Sequence, residues 1–112
     1  MTKTTVRYEN RKAWQTYTLI CMGHAGYAKE GDDIVCAAVS ILAYTLHNYL
    51  HNLGAGKMMF RVEEEKGFLY LEYTNQGKVD PKALHAFDVV KTGLETLAEA
   101  YPLNVNCKVD VI

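Results

Sequence analysis

Asp33-Ile34-Val35-Cys36-Ala37-Ala38-Val39-Ser40-Ile41-Leu42-Ala43-Tyr44-Thr45-Leu46 is the stretch that decides the architecture. Val35, Val39, Leu42, Leu46, Tyr49 or Leu50, and Leu53 form one apolar stripe at helical spacing. Ile34, Ala37, Ala38 and Ile41 make the first half apolar on its other faces too. A helix apolar around most of its girth is buried on more than one side. Residues 33–53 therefore read as a core helix that needs a sheet on one side and something else on another. Gly54-Ala55-Gly56 ends it.

Strands flank this helix on both sides. Residues 3–9 and 14–22 read as two strands joined by the polar run Glu9-Asn10-Arg11-Lys12, and the second is rich in β-branched and aromatic residues. After the helix, 57–64 and 68–74 read as a hairpin around Glu65-Lys66-Gly67. Asp80-Pro81 gives an N-cap followed by proline at the first helical position. A second helix follows with a stripe of Leu84, Phe87, Val90, Leu94, Leu97 and Tyr101, stopped by Pro102. The final segment alternates, with Val105, Cys107, Val109 and Val111 expected inward. The order ββαββαβ predicts an α+β fold, with two helices packed on a mostly antiparallel sheet.

At 112 residues the chain is expected to be one domain, 1–112, with a core small for its surface. The first helix offers more apolar surface than one sheet face covers, so a homodimer is expected. Apolar content of 49% and a charged fraction of 22% place the chain among globular proteins and not disordered ones. A net charge of −1 gives no reason to expect direct nucleic-acid binding. No run approaches about 18 consecutive apolar residues, so no membrane association is expected. Cys21, Cys36 and Cys107 show no disulfide framework and no Cys-x-x-Cys, and no apolar signal core opens the chain. The expectation is a cytoplasmic protein.

The chemistry concentrates in Gly23-His24-Ala25-Gly26-Tyr27-Ala28 and the helix start after it. With Asp33 as N-cap, Cys36 falls at the third helical position, near the positive end of the helix dipole and free N–H groups. Such a site favours a thiolate, and the same N–H groups are candidate oxyanion donors. A buried structural cysteine among Ile34, Val35, Ala37 and Ala38 is the alternative. His24 sits in a glycine-rich loop, 23–32, that can fold over the helix start. There it would serve as general base to Cys36, or be an ordinary loop histidine. Asp33 either caps the helix or also orients His24. Ser40, one turn after Cys36, shares its face and bonds either within the site or to its own helix. With three glycines, the loop is expected to act as a mobile lid, with His24 beyond hydrogen-bond range of Cys36 until substrate binds.

Other chemistries fit less well. A cysteine phosphatase would need arginine where Leu42 stands. His47 and His51 have the i, i+4 spacing of a metal pair but no third ligand in view, and they read as surface or dimer-edge residues; no metal is expected. Glu63-Glu64-Glu65 reads as a solvated hairpin end, and Tyr70 and Tyr73 as sheet packing.

The run from Gly23 to Ser40 resembles the bacterial ribosomal-processing cysteine protease family, long described as a domain of unknown function. The likeness is strong there and weaker elsewhere, including Gly93-Leu94-Glu95-Thr96-Leu97-Ala98-Glu99-Ala100-Tyr101-Pro102. The resemblance implies a homodimeric α+β peptidase with Cys36 as nucleophile and His24 as general base. Gly23, Asp33 and Ser40 fall on the motif's other characteristic positions. It implies no cofactor. The implied partner is a protein substrate: an N-terminal extension of large-subunit ribosomal protein twenty-seven, cut after an aromatic residue. Two alternatives remain open at this point: a homologue that processes a phage structural protein, and a ribosome-associated binding dimer without activity.

Overall fold

The computed structural model describes residues 1–29, 33–54, 56–77 and 80–112. Two strands, β1 (Thr2–Asn10) and β2 (Trp14–Met22), precede helix α1 (Ile34–Leu53). Then come β3 (Lys57–Glu63), a 3₁₀ turn (Glu64–Lys66), β4 (Phe68–Gln76), helix α2 (Pro81–Ala100) and β5 (Val105–Val111). The five strands form one sheet in the order β3-β4-β2-β1-β5. All pairings are antiparallel except β1 with β5. The chain thus has the expected α+β order with two helices on a mostly antiparallel sheet.

Both helices lie on one face of the sheet. Register puts Val6, Leu19, Leu71 and Phe60 in one row across it, and Tyr8, Tyr17, Tyr73 and Met58 in the next. All three tyrosines are buried, and the hydroxyls of Tyr8 and Tyr73 keep partners at the edges of the core. Tyr8 donates to Asp88 Oδ1 at 2.6 Å and Tyr73 to Asp80 Oδ2 at 2.8 Å. Asp80 is also the N-cap of α2, accepting from the Lys82 and Ala83 amides. Tyr17 packs on Phe87 of α2, and its hydroxyl has no partner among the described residues.

α1 is long and apolar enough, by length and composition, to cross a bilayer. Here it lies on the sheet, burying Val35, Val39, Ala43, Leu46 and Leu50. Leu42 turns sideways, toward α2. Gly93 lets the helices approach, since a Cβ there would come within 2.9 Å of the Leu42 side chain. Gly54, with φ of 63°, closes the helix by donating to the Leu50 carbonyl; Ala55 of the expected stop lies outside the described residues.

Ile34 and Ile41 remain 58% and 64% exposed on the outer side of α1. Tyr49 and Val89 border an open apolar groove of about 360 Å³ between the outer sides of the two helices. The apolar excess read from the sequence is therefore uncovered in one copy of the chain.

One expectation needs correction. Of the four β5 residues expected inward, Val105 is buried and Cys107 half-buried, but Val109 and Val111 are exposed. Their alternation assigns the right face, since Val109 pairs with Val6 and Val111 with Tyr8. The cover is missing because β5 is an edge strand and its C-terminal end lies outside the shelter of α2.

Candidate active site

The second strand ends at Met22, opposite Phe68, the first residue of β4. That register places Gly23 beside Gly67, the residue that closes the β3–β4 turn. Gly23 has φ of 88°, and a Cβ on it would lie 2.6 Å from the Met1 carbonyl oxygen. Its own carbonyl accepts from Thr2 Oγ1 at 3.1 Å. Any side chain at 23 is excluded by both conformation and space.

His24 follows, exposed to solvent. Ala25 is buried, and its carbonyl accepts from Asn104 Nδ2 at 3.0 Å. His24 is thus flanked by two anchored residues. The lid expected over 23–32 divides accordingly: 23–25 are tied to β1 and to the α2–β5 connection, whereas 30–32, Gly31 included, lie outside the described residues.

Asp33 is the N-cap of α1, as expected. One carboxylate oxygen accepts from the Cys36 amide at 2.9 Å. The other accepts from the amides of Tyr27 at 3.0 Å and Ala28 at 3.4 Å. Desolvation is the largest single influence and opposes its ionisation, but the N–H groups of Cys36, Tyr27, Ala28 and Val35 together outweigh it and hold the carboxyl below its usual range. Both oxygens are occupied by backbone, and neither bonds His24. Of the two roles open to Asp33, the structure carries the cap, which also knots the loop to the helix.

This cap changes the expected oxyanion site. The Cys36 amide is given to Asp33 Oδ1 and the Ala37 amide to the Asp33 carbonyl at 3.1 Å. The Val35 amide also serves the carboxylate. The N–H groups at the helix start nearest the thiol are therefore engaged, contrary to the expectation that they stand free.

Cys36 is half-buried at the third position of α1. It and His24 line the same cavity of about 220 Å³. Ser40 lies on the same wall one turn later, its side chain making no hydrogen bond among the described residues. Val39, Ala43 and Tyr44 of α1 continue that wall; Val62, Glu64, Gly67, Phe68 and Leu69 face it from the hairpin. Cys21 forms part of the floor; burial pushes its thiol pKa up to about 12, with Cys107 adding to the rise. No hydrogen bond joins His24 to Cys36. His24 Nε2 instead lies 3.1 Å from the main-chain carbonyl oxygen of Glu65. That partner was invisible in the sequence, where the acidic run Glu63–Glu65 reads only as a solvated turn. The side chains do conform to that reading, with Glu63 paired to Arg61 and Lys66 at the surface.

His47 and His51 stack with ring centroids 6.1 Å apart, and His47 rests on Phe60 at 4.2 Å. Among the described residues no group of three potential metal ligands forms.

A thiol at a capped helix start and an imidazole on the opposite wall of one cavity are the parts of a nucleophilic hydrolase site. The model of the family described as cysteine protease Prp matches residues 1–106. The chain is 26% identical to the ribosomal processing cysteine protease Prp of Bacillus subtilis, over the full length of both. The fold is shared with a Streptococcus mutans protein, at 30% identity, TM-score 0.76, and coverage of 100% of this chain and 96% of that one. It is shared too with the Staphylococcus aureus ribosomal processing protease Prp, solved with a covalently linked product peptide. There identity is 22%, TM-score 0.79, and coverage 98% of this chain and 100% of that one. The chain belongs to the cysteine protease Prp family, and it is a cysteine protease. The inactive binding dimer is thereby set aside.

Proposed function

We propose that this chain, acting as a single cytoplasmic domain paired in a homodimer, removes a short N-terminal extension from large-subunit ribosomal protein twenty-seven. Cys36 is the nucleophile and His24 the general base. One observation carries the reading: His24 and Cys36 line one cavity between the start of α1 and the β3–β4 turn. His24 takes the Cys36 thiol proton as sulfur attacks the scissile carbonyl. The proton passes to the departing amine, the C–N bond breaks, and an acyl-enzyme remains. Water, deprotonated by the same imidazole, then releases the new carboxylate. The apolar wall of Val39, Ala43, Tyr44, Val62 and Leu69 suits an aromatic side chain just before the cut. The name of the Bacillus subtilis relative and the peptide held by the Staphylococcus aureus enzyme support the substrate class.

The test is cleavage of two peptides, one bearing the ribosomal extension and one a phage structural sequence, each with an aromatic residue before the cut. Cys36→Ala is expected to abolish cleavage with the fold intact, and His24→Ala to lower kcat by about 10²–10⁴-fold. Retained turnover in Cys36→Ala refutes the nucleophile. Preference for the phage peptide refutes the ribosomal substrate alone.

A further inference from the structure

We propose that the β3–β4 turn is the positioning element for the His24 imidazole. The Glu65 main-chain carbonyl is its acceptor, and Gly67 is the residue that lets the turn come close enough. This inference rests on His24 being the general base.

A carbonyl only accepts, so the 3.1 Å contact places a proton on Nε2. The free lone pair is then on Nδ1, which is the atom that takes the Cys36 proton. When it does, the ring becomes an imidazolium and the bond from Nε2 to Glu65 becomes charge-assisted, and so stronger as the thiolate forms. No proton passes to Glu65: it moves from Sγ to Nδ1 and on to the leaving amine. Asp33 is unavailable for this work, since both its oxygens hold backbone amides.

The second observation is the fit of the turn against the loop. A Cβ on Gly67 would lie 2.8 Å from the Gly23 carbonyl carbon and 3.1 Å from the His24 amide nitrogen. These are backbone atoms in a segment pinned on both sides of His24, at the Gly23 carbonyl by Thr2 and at the Ala25 carbonyl by Asn104, and they do not yield cheaply. Only glycine allows this approach, and φ of 61° at Gly67 favours it as well. The register of β4 on β2 thus delivers an acceptor to a ring that β2 delivers from the other side.

Gly67→Ala is the direct test. It is expected to lower kcat by about 10–100-fold, the order associated with a 1 Å misplacement, with KM within about twofold. The Hε2 proton of His24, sheltered by its bond and visible by NMR at low temperature in the parent protein, is expected to vanish. Gly77→Ala controls for backbone strain: φ there is 87°, nothing lies within 4 Å of the new Cβ, and kcat should be unchanged. A second variant adds no atoms. Incorporating the α-hydroxy counterpart of lysine at position 66 makes the Glu65 carbonyl an ester, a poorer acceptor, and should also lower kcat and expose Hε2 to exchange. The proposal is overturned if Gly67→Ala raises KM with kcat intact, because the turn is then only a wall for substrate. It is equally overturned if the ester keeps parental kcat and a protected Hε2. Undiminished turnover in His24→Ala is a different failure, that of the base assignment itself.

Discussion

Replacing Asp33 separates a helix cap from a catalytic partner. Asp33→Ala removes the acceptor for the Cys36 amide at 2.9 Å, and with it the ties to Tyr27 and Ala28 at 3.0 and 3.4 Å. Loss of an N-cap alone costs about 0.5–2 kcal/mol. The loop contacts are near the surface and add little, so about 1–2 kcal/mol is expected in all. For a chain of this length, 1 kcal/mol moves Tm by about 3–6 °C, so thermal unfolding should come about 3–12 °C earlier. Asp33→Asn keeps a capping oxygen and loses the charge. Its cost should be the dipole and charge-assistance share, about 0.3–1 kcal/mol. The sign with pH follows from the lowered carboxyl: the advantage of Asp33 over Ala is full above the unfolded value of about 3.9 and disappears as pH falls through the lower folded value. Denaturation curves of the three proteins at several pH values, read beside peptide cleavage, are the assay. If Asp33→Asn unfolds like the parent yet loses catalysis as fully as His24→Ala, the reasoning fails, because the carboxylate would then be serving the imidazole.

Three further outcomes follow from the packing. Tyr17→Phe removes a buried hydroxyl without a described partner, so stability should hold or rise by up to about 1 kcal/mol in urea titration, and a loss above that amount would mean the hydroxyl is bonded. Iodoacetamide at neutral pH should label Cys36 well before Cys21, whose thiol is buried with its pKa pushed to about 12; mass spectrometry showing equal rates would contradict the described burial. Sedimentation equilibrium at micromolar concentration should give a dimer, and Ile41→Asp, placed on the exposed side of α1, should give monomer; a monomeric parent ends the dimer proposal.

Periodicity and caps carried most of the fold. The α1 stripe, the Asp80-Pro81 start of α2 and the turn at Gly67 are local signals, and each appears where chain-level rules place it. Val109 and Val111 show the limit: alternation tells which face a residue takes, not whether another element reaches far enough to cover it. The candidate site divides the same way. Asp33 and Cys36 were legible because a cap and its third helical position are fixed by spacing. The Glu65 carbonyl was not, because a main-chain oxygen has no letter of its own. Its neighbour His24 is 41 residues away and arrives only through the pairing of Met22 with Phe68.

The two halves of the site ride on different layers. His24 is fastened to strand ends and the hairpin, and Cys36 to a helix that rests on that sheet through Val39 and Ala43. The distance from sulfur to imidazole is therefore gauged by the thickness of the filling between helix and sheet. A methylene added or removed among Val39, Ala43, Cys21 and Leu69 shifts one wall against the other. Such residues touch no proton in the reaction, yet they act as shims. Variation there should retune turnover along with the fit of the substrate side chain, so the walls of the cavity are a place where rate can evolve without any change at the chemistry itself.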